Sequence, residues 1–377
     1  MRHQPQTLYR RHAGLAPRCS GFTTPTRIPD ESLAILSATK SPGSKPGLQG
    51  ASPLEPAAKR REAGWLRKSN YKFSASSTDR IQKEHMTANQ ISASQAGQVS
   101  LGPELTVNRL GFGAMRLTGE GIWGPPKDRS RALAVLRRAV ELGVNFIDTA
   151  DSYGPYVNEE LIAEALYPYP AGLVIATKGG WNRPGPNQWT HNATPPHLRS
   201  AVEGSLKRLR LERIDIYQLH VPDPVVSFDA SVETLAELRA QGKIRCVALS
   251  NVTQEHIERA RKIVPIISVQ NRYSFADREW DYVVDYCERN AIAFIPWAPL
   301  GSGRVAGEVL REVADAHHAQ PMQVALAWLL WRSPIVLPIP GTSSLQHLEE
   351  NVAAAALKVS DEECKRLYGV PELVGSR

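Results

Sequence analysis

The sequence predicts an α/β protein built as a (β/α)8 barrel of the TIM type, with a short N-terminal hairpin and a disordered extension ahead of it. Short apolar segments alternate with amphipathic helical segments along most of the chain, and there are eight such apolar segments. Several of them end in polar or ionisable residues, as the strands of barrel enzymes do. A split into two doubly wound halves is the alternative architecture.

Residues 1–97 are predicted to be a disordered basic extension, because they lack hydrophobic periodicity and are rich in Arg, Ser, Pro and Gly. Of the 45 Lys/Arg and 38 Asp/Glu, 15 and 6 lie in residues 1–85, giving that segment a net charge of +9 and the remainder −2. A transit peptide, a basic nucleic-acid-binding tail and a start codon placed too far upstream are the open interpretations. The last, with a natural start near Met86, is the leading one. Deletion of residues 1–85 is therefore expected to leave melting temperature and activity almost unchanged.

The composition of the chain, and of residues 98–377 in particular, argues against several classes of protein. No run of eighteen apolar residues is present, so no membrane span is predicted. The four cysteines are far apart and lack C-x-x-C spacing, which argues against a zinc site and favours a reducing compartment such as the cytoplasm. Its nearly balanced charge predicts no nucleic-acid partner. The sequence leaves the oligomeric state open.

The strands are predicted from apolar runs bounded by turn residues. Val99–Leu101 and Leu105–Val107 flank a Gly-Pro pair and are predicted to form the N-terminal hairpin. The eight barrel strand candidates are Asn108–Gly113, Val144–Asp148, Leu173–Thr177, Ile214–Leu219, Ile244–Leu249, Ile266–Val269, Ala293–Trp297 and Val336–Ile339.

Amphipathic helices are predicted between the strands, and capping residues mark their ends. Gly143 stands where a left-handed C-terminal cap belongs, and Thr194 is a suitable N-cap ahead of Pro195. Ser343 and Gln346 have the spacing of a capping box at the start of the helix after the last strand. Regular alternation of strand and helix favours the barrel over two separate halves.

Four ionisable side chains follow three of the predicted strands: Asp148, Tyr153, Lys178 and His220. Tyrosine is a poor acid near neutral pH unless a cation lies beside it, and Lys178 supplies that cation if its strand neighbours the Asp148 strand. Asp148 would keep Lys178 charged, and His220 would hydrogen-bond a substrate oxygen. Each residue alone has a structural interpretation, but four at successive strand ends predict an acid/base site.

These segments resemble the aldo-keto reductase family. Asp148–Tyr153, Ala176–Lys178 and Tyr217–His220 match the family's Asp, Tyr, Lys and His tetrad residue by residue, and the resemblance extends over roughly residues 98–370. It implies a metal-free oxidoreductase that uses NADPH, with NADH less favoured, to reduce an aldehyde or ketone to an alcohol. The small-molecule carbonyl substrate would be its partner. The catalytic residues that the resemblance implies are Tyr153, Asp148, Lys178 and His220.

The resemblance also implies the cofactor-binding positions. Ser250, Asn251 and Gln270 would hold the nicotinamide carboxamide, and Trp297 would stack on its ring and leave one ring face open to the substrate. The segment that opens the last barrel helix has free N–H groups suited to a phosphate. The further cofactor positions are Leu300, Gly301, Ser302, Ile339, Gly341, Thr342, His347, Glu350 and Asn351.

Two of these positions depart from the family pattern. The family often places a lysine where Gly341 stands and an arginine where His347 stands, both contacting the 2′-phosphate of NADPH. No carboxylate stands at either position to repel that phosphate, and His347 can gain charge as the pH falls. We therefore expect a modest preference for NADPH that grows as the pH falls from 8 to 6.

Within the family, Val107–Met115, Trp123–Asp128 and Pro321–Leu330 resemble bacterial pyridoxal reductase-like members. Pyridoxal, reduced to pyridoxine, or another aromatic aldehyde is therefore a substrate candidate. The alternative function is a non-catalytic, cofactor-sensing subunit on the same fold, which turnover of a generic aldehyde would exclude. Gly301–Gly307 imitates a Rossmann loop, but the next predicted strand does not end in the acidic residue that such a site needs.

Overall fold

The computed structural model describes residues 91–301 and 307–369. The strands are β1 (Gln98–Leu101), β2 (Leu105–Asn108), β3 (Phe112–Gly113), β4 (Phe146–Asp148), β5 (Val174–Gly179), β6 (Trp181–Gly185), β7 (Gln188–His191), β8 (Ile214–Leu219), β9 (Ile244–Ser250), β10 (Ile266–Arg272) and β11 (Ala293–Trp297). The α-helices are α1 (Arg129–Glu141), α2 (Val157–Leu166), α3 (Pro195–Leu209), α4 (Phe228–Ala240), α5 (Gln254–Arg261), α6 (Asp281–Arg289), α7 (Glu308–Ala316), α8 (Pro321–Arg332), α9 (Leu345–Ala353) and α10 (Asp361–Tyr368).

Seven of the described strands form one parallel sheet in the order β11-β10-β9-β8-β5-β4-β3, with helices between successive strands. The sheet is nearly closed into a barrel. One continuous sheet excludes two doubly wound halves, so the predicted barrel class is confirmed. Side chains alternate across each strand, so Asp148, Lys178 and Gln218 follow the inward-facing residues of β4, β5 and β8. They stand at the carboxyl ends, where barrel enzymes place their chemistry.

The eighth predicted strand, Val336–Ile339, closes the barrel without forming a regular strand. It makes one isolated bridge, Val336 to Phe294, and the Leu337 amide donates to the Phe294 carbonyl at 2.8 Å. On its other side the Pro338 carbonyl accepts from the Gly111 amide at 2.9 Å. Pro338 and Pro340 have no N–H to donate, which is why a continuous ladder does not form. We call this segment and its contacts with Gly111 and β11 the seam.

The N-terminal hairpin forms as predicted. β1 and β2 pair antiparallel, with Val99 opposite Val107. Their apolar side chains join Phe146 and Val174, near the start of β4 and β5, in one buried cluster, so the hairpin covers the end of the barrel opposite the carboxyl ends. The first predicted barrel strand was too long, because Asn108 belongs to β2.

Ordered barrel structure begins before the boundary expected at residue 98. Ala93–Ala96 form a short 3-10 helix, and the Ala93 amide donates to the Leu142 carbonyl at 2.8 Å. Ser92 caps this helix with its side chain. The rest of the predicted extension, residues 1–90, lies outside the described residues.

One helix begins at the predicted cap residue without the side-chain hydrogen bond, and another begins one residue away from the predicted cap. Thr194 is the N-cap residue of α3, but its hydroxyl does not cap the helix and donates to Asn192 Oδ1 at 2.8 Å. The N-cap of α9 is Ser344 and not Ser343, since the Ser344 hydroxyl accepts from the His347 amide at 3.3 Å. Gly143 has the expected positive φ of 79° just after α1.

The sequence did not predict the hairpin β6–β7, which follows β5 directly. β6 and β7 pair antiparallel across a Pro-Asn turn in which Asn187 has a φ of 56°. The Asn192 amide donates to the Gly180 carbonyl at 2.9 Å and fixes the base of the hairpin. Its position after β5 places it at the carboxyl ends of the barrel strands, next to the predicted acid/base residues.

Candidate active site

Lys178 is the centre of the candidate site. Its Nζ donates to Asp148 Oδ2 at 2.6 Å, to the Thr149 carbonyl at 2.9 Å and to the Tyr153 hydroxyl at 3.2 Å. The Lys178 side chain is completely buried and the Asp148 side chain nearly so. The ammonium thus has three oxygen partners, which uses all its N–H groups and fixes the tyrosine beside it.

Two amide side chains hold the other oxygen of Asp148. Gln218 Nε2 donates to Asp148 Oδ1 at 3.0 Å, and Gln270 Nε2 donates to the same oxygen at 2.8 Å. Gln218 comes from β8 and was not among the predicted site residues. Its position two residues before His220, on the same face of the strand, is the signal that could have identified it.

The ion pair keeps Lys178 charged although it is buried. Burial alone would lower the pKa of Lys178, but the Asp148 carboxylate and the Tyr153 hydroxyl hold it above its ordinary value. A charged ammonium at this position is stabilised by hydrogen bonds in a poorly solvated environment.

Tyr153 stays protonated in this environment. Burial raises the pKa of Tyr153 above its ordinary value, Lys178 opposes that effect, and the Asp148 charge adds to it. The sequence suggested that the neighbouring cation would lower this pKa; in the structure the cation only offsets burial. The phenol is therefore a proton donor at neutral pH, with an ammonium in place to stabilise the phenolate left behind.

His220 lies across the site from Lys178, with its ring centroid 5.8 Å from that of Tyr153 in an edge-to-face contact. Burial, then the charges of Lys178 and Arg183, lowers the pKa of His220 well below its ordinary value, so the imidazole is neutral. Its Nδ1 lies 3.4 Å from the Ser152 hydroxyl. When Nδ1 accepts from that hydroxyl, Nε2 carries the proton and is a hydrogen-bond donor.

The predicted nicotinamide-binding residues form a connected group beside this cluster. Asn251 Nδ2 donates to Ser250 Oγ at 3.1 Å and to the His220 carbonyl at 3.0 Å. Asn251 Oδ1 accepts from Trp297 Nε1 at 3.0 Å, which fixes the indole at the end of β11. Gln270 uses its Nε2 for Asp148, and none of the described residues donates a hydrogen bond to its Oε1. This acceptor and the fixed indole plane fit a carboxamide-bearing ring.

The start of α9 forms the predicted phosphate-binding region. Thr342 is buried, and its hydroxyl accepts from the Ser344 amide at 3.0 Å. The N-terminal end of a nine-residue helix follows, whose free N–H groups favour an anion. Ile339 points into the barrel interior, so only its backbone can contact a cofactor.

Gly341 cannot be replaced by a larger residue without a shift of the seam. A Cβ built there would lie 2.4 Å from the Gly113 carbonyl oxygen and 3.7 Å from Arg116 Cγ. The glycine therefore lets two backbone segments approach closely. It also places the exposed Arg116 beside the predicted phosphate region. The prediction missed Arg116, and the Arg in the Ala-Met-Arg segment after β3 was its only sequence signal.

The remaining predicted cofactor residues are less closely grouped. Glu350 accepts from Gln346 Nε2 at 2.8 Å, Asn351 is buried in α9 and His347 is exposed on its first turn. Leu300 packs against the main apolar cluster, and Gly301 adopts a φ of 52° in the turn after β11. Ser302 lies outside the described residues.

A second buried ion pair lies on the outer side of β5. Arg208 Nε donates to Glu159 Oε2 at 2.6 Å, and the Thr177 hydroxyl donates to Glu159 Oε1 at 2.6 Å. Thr177 and Lys178 are consecutive, so their side chains point to opposite faces of β5. We call the Lys178–Asp148 pair the inner pair and the Arg208–Glu159 pair the outer pair.

The described residues hold neither a helix that could span a membrane nor a side-chain cluster that could bind a metal ion. No helix within residues 91–301 and 307–369 is long and apolar enough to cross a membrane. In the same part of the chain, no group of three or more His, Cys, Asp or Glu side chains is arranged to hold a metal ion.

Relatives with curated descriptions resemble this chain over most of their length. An uncharacterized oxidoreductase, C215.11c, of Schizosaccharomyces pombe is 50% identical over 279 residues, covering 74% of this chain and 90% of the relative. Pyridoxine 4-dehydrogenase of Escherichia coli is 46% identical over 272 residues, covering 70% of this chain and 95% of the relative.

Solved structures of aldo-keto reductases have the same fold as this chain. A thermostable aldo-keto reductase in complex with the inhibitor epalrestat superposes with a TM-score of 0.65 at 29% identity, covering 72% of this chain and 98% of that one. An aldo-keto reductase from Klebsiella pneumoniae in complex with NADPH superposes with a TM-score of 0.62 at 26% identity, covering 72% and 93%.

The sequence profile of the Aldo/keto reductase family matches residues 109–371, which include β3 to β11 and the whole acid/base cluster. The profile match, the 46% and 50% identical relatives and the barrel agree with one another. This chain therefore belongs to the aldo/keto reductase family and is an oxidoreductase.

Proposed function

We propose that this protein reduces an aldehyde or ketone to an alcohol with NADPH. The observation that carries the proposal is the 3.2 Å contact between the Tyr153 hydroxyl and Lys178 Nζ, inside a cluster that buries both. It places a protonated phenol beside a fixed positive charge at the end of the barrel where substrates bind. A bound nicotinamide cofactor supplies the hydride.

The residues of the site have separate roles in proton transfer and in positioning the substrate. Tyr153 holds the proton that the substrate oxygen receives, and Lys178 stabilises the phenolate that this leaves. Asp148, held by Gln218 and Gln270, keeps the ammonium charged and in place. Neutral His220 donates a hydrogen bond to the same substrate oxygen from its Nε2 and so orients the carbonyl.

Pyridoxal is the substrate that we propose first, with pyridoxine as its product. The 46% identical Escherichia coli relative is named pyridoxine 4-dehydrogenase, which names the reverse direction of this reaction. The indoles of Trp181 and Trp189 lie edge-on to His220, with ring centroids 6.3 and 6.4 Å away. Aromatic walls of this kind favour a flat heteroaromatic substrate.

We propose NADPH as the preferred cofactor, with NADH bound less tightly. The Klebsiella pneumoniae neighbour was solved with NADPH, and the group of Ser250, Asn251, Gln270 and Trp297 suits a nicotinamide. Gly341 occupies the position at which the family often has a lysine. Arg116 beside it supplies a replacement positive charge, and no described carboxylate forms an ion pair with Arg116.

The proposed cellular setting is the cytoplasm, with a small carbonyl compound as partner and no nucleic acid. The three cysteines in the described residues, Cys246, Cys287 and Cys364, are free and buried, which suits a reducing compartment. The net charge of −2 outside residues 1–85 offers no broad positive surface to a polyanion.

The test is turnover of 4-nitrobenzaldehyde and of pyridoxal with each cofactor, comparing the unchanged protein with Tyr153→Phe. We expect the phenylalanine variant to bind NADPH normally and to lose at least ~100-fold in turnover, the usual scale of positioned acid catalysis. Near-normal turnover in that variant would contradict the role of Tyr153. Cofactor binding without turnover of any aldehyde by the unchanged protein would favour the non-catalytic, cofactor-sensing subunit.

A further inference from the structure

The hairpin β6–β7 forms an aromatic wall over the acid/base cluster. Trp181 and Trp189 pack edge-to-face, with ring centroids 5.8 Å apart, and both are nearly perpendicular to the His220 ring. Tyr153 makes an edge-to-face contact with the same imidazole. The wall therefore borders the space in which a substrate ring would lie when its carbonyl reaches Tyr153 and His220.

Arg183 lies in the middle of this hairpin, and backbone carbonyls hold it. Its guanidinium carbon lies 3.7 Å from the Trp189 ring centroid. Its Nε donates to the Gln188 carbonyl at 2.9 Å, and its Nη1 to the Ile122 and Ser152 carbonyls at 3.0 and 2.7 Å. Its Nη2 donates to the Gly121 carbonyl at 2.9 Å. A guanidinium has five N–H groups, so one N–H on Nη2 is left over.

The positive charge of Arg183 has no ionic partner in the described part of the chain. Several other arginines in the described residues form ion pairs with a carboxylate. Arg183 instead contacts only carbonyl oxygens and aromatic rings. Burial lowers the pKa of Arg183 to about 10, so it remains charged at neutral pH. The charge of Arg183 also lowers the pKa of His220, after burial and the charge of Lys178.

Trp189 provides a second donor without an acceptor. Its Nε1 is buried and has no hydrogen-bond partner. Buried N–H groups nearly always have one, and leaving one unsatisfied costs free energy. One hairpin beside the tetrad thus carries a buried indole N–H, a free guanidinium N–H and an unbalanced positive charge.

We propose that Arg183 and Trp189 form a substrate subsite for a negatively charged oxygen group, such as a carboxylate or phenolate, carried by a planar aromatic aldehyde. The charge of Arg183 attracts the anion, and the indole N–H of Trp189 supplies a directed hydrogen bond. This inference rests on the proposed function, since it names the class of carbonyl substrate that the same site selects.

The kinetic test compares two aldehydes of similar size, anionic 4-carboxybenzaldehyde and neutral 4-nitrobenzaldehyde. The nitro group makes its aldehyde intrinsically more reactive, so the carboxylate-to-nitro ratio of kcat/KM in the unchanged protein serves as the reference. Rising salt should reduce kcat/KM for the carboxylate alone. Arg183→Met should lower the carboxylate-to-nitro ratio of kcat/KM by about 10-fold or more, and Arg183→Lys should lower it less. Trp189→Phe keeps a ring but removes the N–H, and should lower the ratio by a smaller factor.

The matched control is Arg199→Met, which removes an exposed arginine paired with Glu237 on the outer helices. It should leave the ratio unchanged. Arg183 also fixes the Ser152 carbonyl next to Tyr153, so a purely structural role predicts that Arg183→Met slows both aldehydes by the same factor. That outcome, or a ratio that neither salt nor Arg183→Met changes, would overturn the proposal.

A binding measurement separates failure of the subsite from failure of the proposed function. Calorimetry with the cofactor-loaded protein should show tighter binding of 4-(hydroxymethyl)benzoate than of neutral benzyl alcohol, and Arg183→Met should remove the difference. If no aldehyde is turned over but this difference is present, the proposed function is wrong and the anion subsite stands. If aldehydes are turned over but the two compounds bind equally, only the subsite is wrong.

Discussion

The inner and outer ion pairs lie on opposite faces of the same strand and have similar geometry, although Lys178 is completely buried and Arg208 is partly exposed. Each joins a buried carboxylate to a nitrogen at 2.6 Å, and each carboxylate is held further by neutral side chains. They differ in what the cation touches next. Lys178 contacts the Tyr153 hydroxyl, whereas the nearest further polar contact of Arg208 is the Ser205 hydroxyl at 3.4 Å.

Burial and distance therefore do not identify a functional ion pair in this barrel. Both pairs carry the desolvation cost of buried charges, which good geometry only partly repays. Of the two cations, only Lys178 hydrogen-bonds a phenol hydroxyl at the strand ends. Variants on the two faces of β5 should separate stability from turnover.

The largest effect is expected from Lys178→Met, which breaks the inner pair. Asp148 is then left buried without a cation, so the free energy of unfolding should fall by about 3–5 kcal/mol. Turnover of 4-nitrobenzaldehyde per folded molecule should also fall by at least ~100-fold, because no charge remains to stabilise the Tyr153 phenolate. Urea unfolding and steady-state kinetics measure the two quantities, and normal turnover would show that the inner pair is structural only.

Glu159→Gln, on the outer pair, is the matched comparison. It removes the partner of Arg208 and should also lower the free energy of unfolding by about 3 kcal/mol. Turnover per folded molecule should remain nearly unchanged, since the amide does not touch the acid/base cluster. A loss of turnover as large as that of Lys178→Met would show that the two pairs work as one unit.

Asp151 lies near both pairs and provides a pH test. Burial first, and the charge of Glu159 second, raises the pKa of Asp151 to about 8. Because an aspartate titrates near ~3.9 in the unfolded chain, stability from protonated Asp151 is fully present below about pH 4 and is lost as the pH rises toward the folded pKa. Asp151→Asn should therefore reduce the decline in unfolding free energy over this range, by at most about 1.4 kcal/mol per pH unit. An unchanged pH profile would contradict the raised pKa.

The smallest effect is expected at Arg116, which is remote from both pairs. Arg116→Ala should weaken NADPH binding by roughly 5- to 10-fold, the scale of one charge-assisted hydrogen bond, and leave NADH binding nearly unchanged. Fluorescence titration with both cofactors, repeated at pH 8 and pH 6, also tests the expected contribution of His347. Equal weakening of both cofactors would place Arg116 away from the 2′-phosphate.

The sequence predicted the parts of this molecule that depend on local pattern. Strand alternation and the polar residues after β4, β5 and β8 were sufficient to predict the barrel and to place Asp148, Lys178 and His220 at one end. The direction of the Tyr153 pKa was not predictable, because it depends on how completely neighbouring elements bury the phenol.

The missed features depend on contacts between distant segments. The hydrogen bond from Gln218 on β8 to Asp148 on β4 passes across β5 and forms only in the folded barrel. Arg116 approaches Gly341 only when the segment after β3 meets the last barrel segment. The hairpin β6–β7 has few apolar residues in alternation, and a Pro-Asn turn interrupts them. Strands are predicted from such alternation, so the sequence did not indicate this pairing. In the last barrel segment, apolar composition predicted a strand. Pro338 and Pro340 lack the N–H groups that a hydrogen-bonded ladder needs, so no regular strand forms there.

The seam has a consequence for how the barrel opens. Most neighbouring strands share a ladder, but here two backbone hydrogen bonds with Phe294 and one with Gly111 join the two edges of the sheet. A sheet separates most easily where fewest hydrogen bonds must break at once, so amide hydrogens at Gly111 and Leu337 should exchange with deuterium sooner than those in the middle of β8 and β9. Because the predicted phosphate region continues directly from the seam, bound cofactor should slow this exchange and act as a clasp that completes the ring.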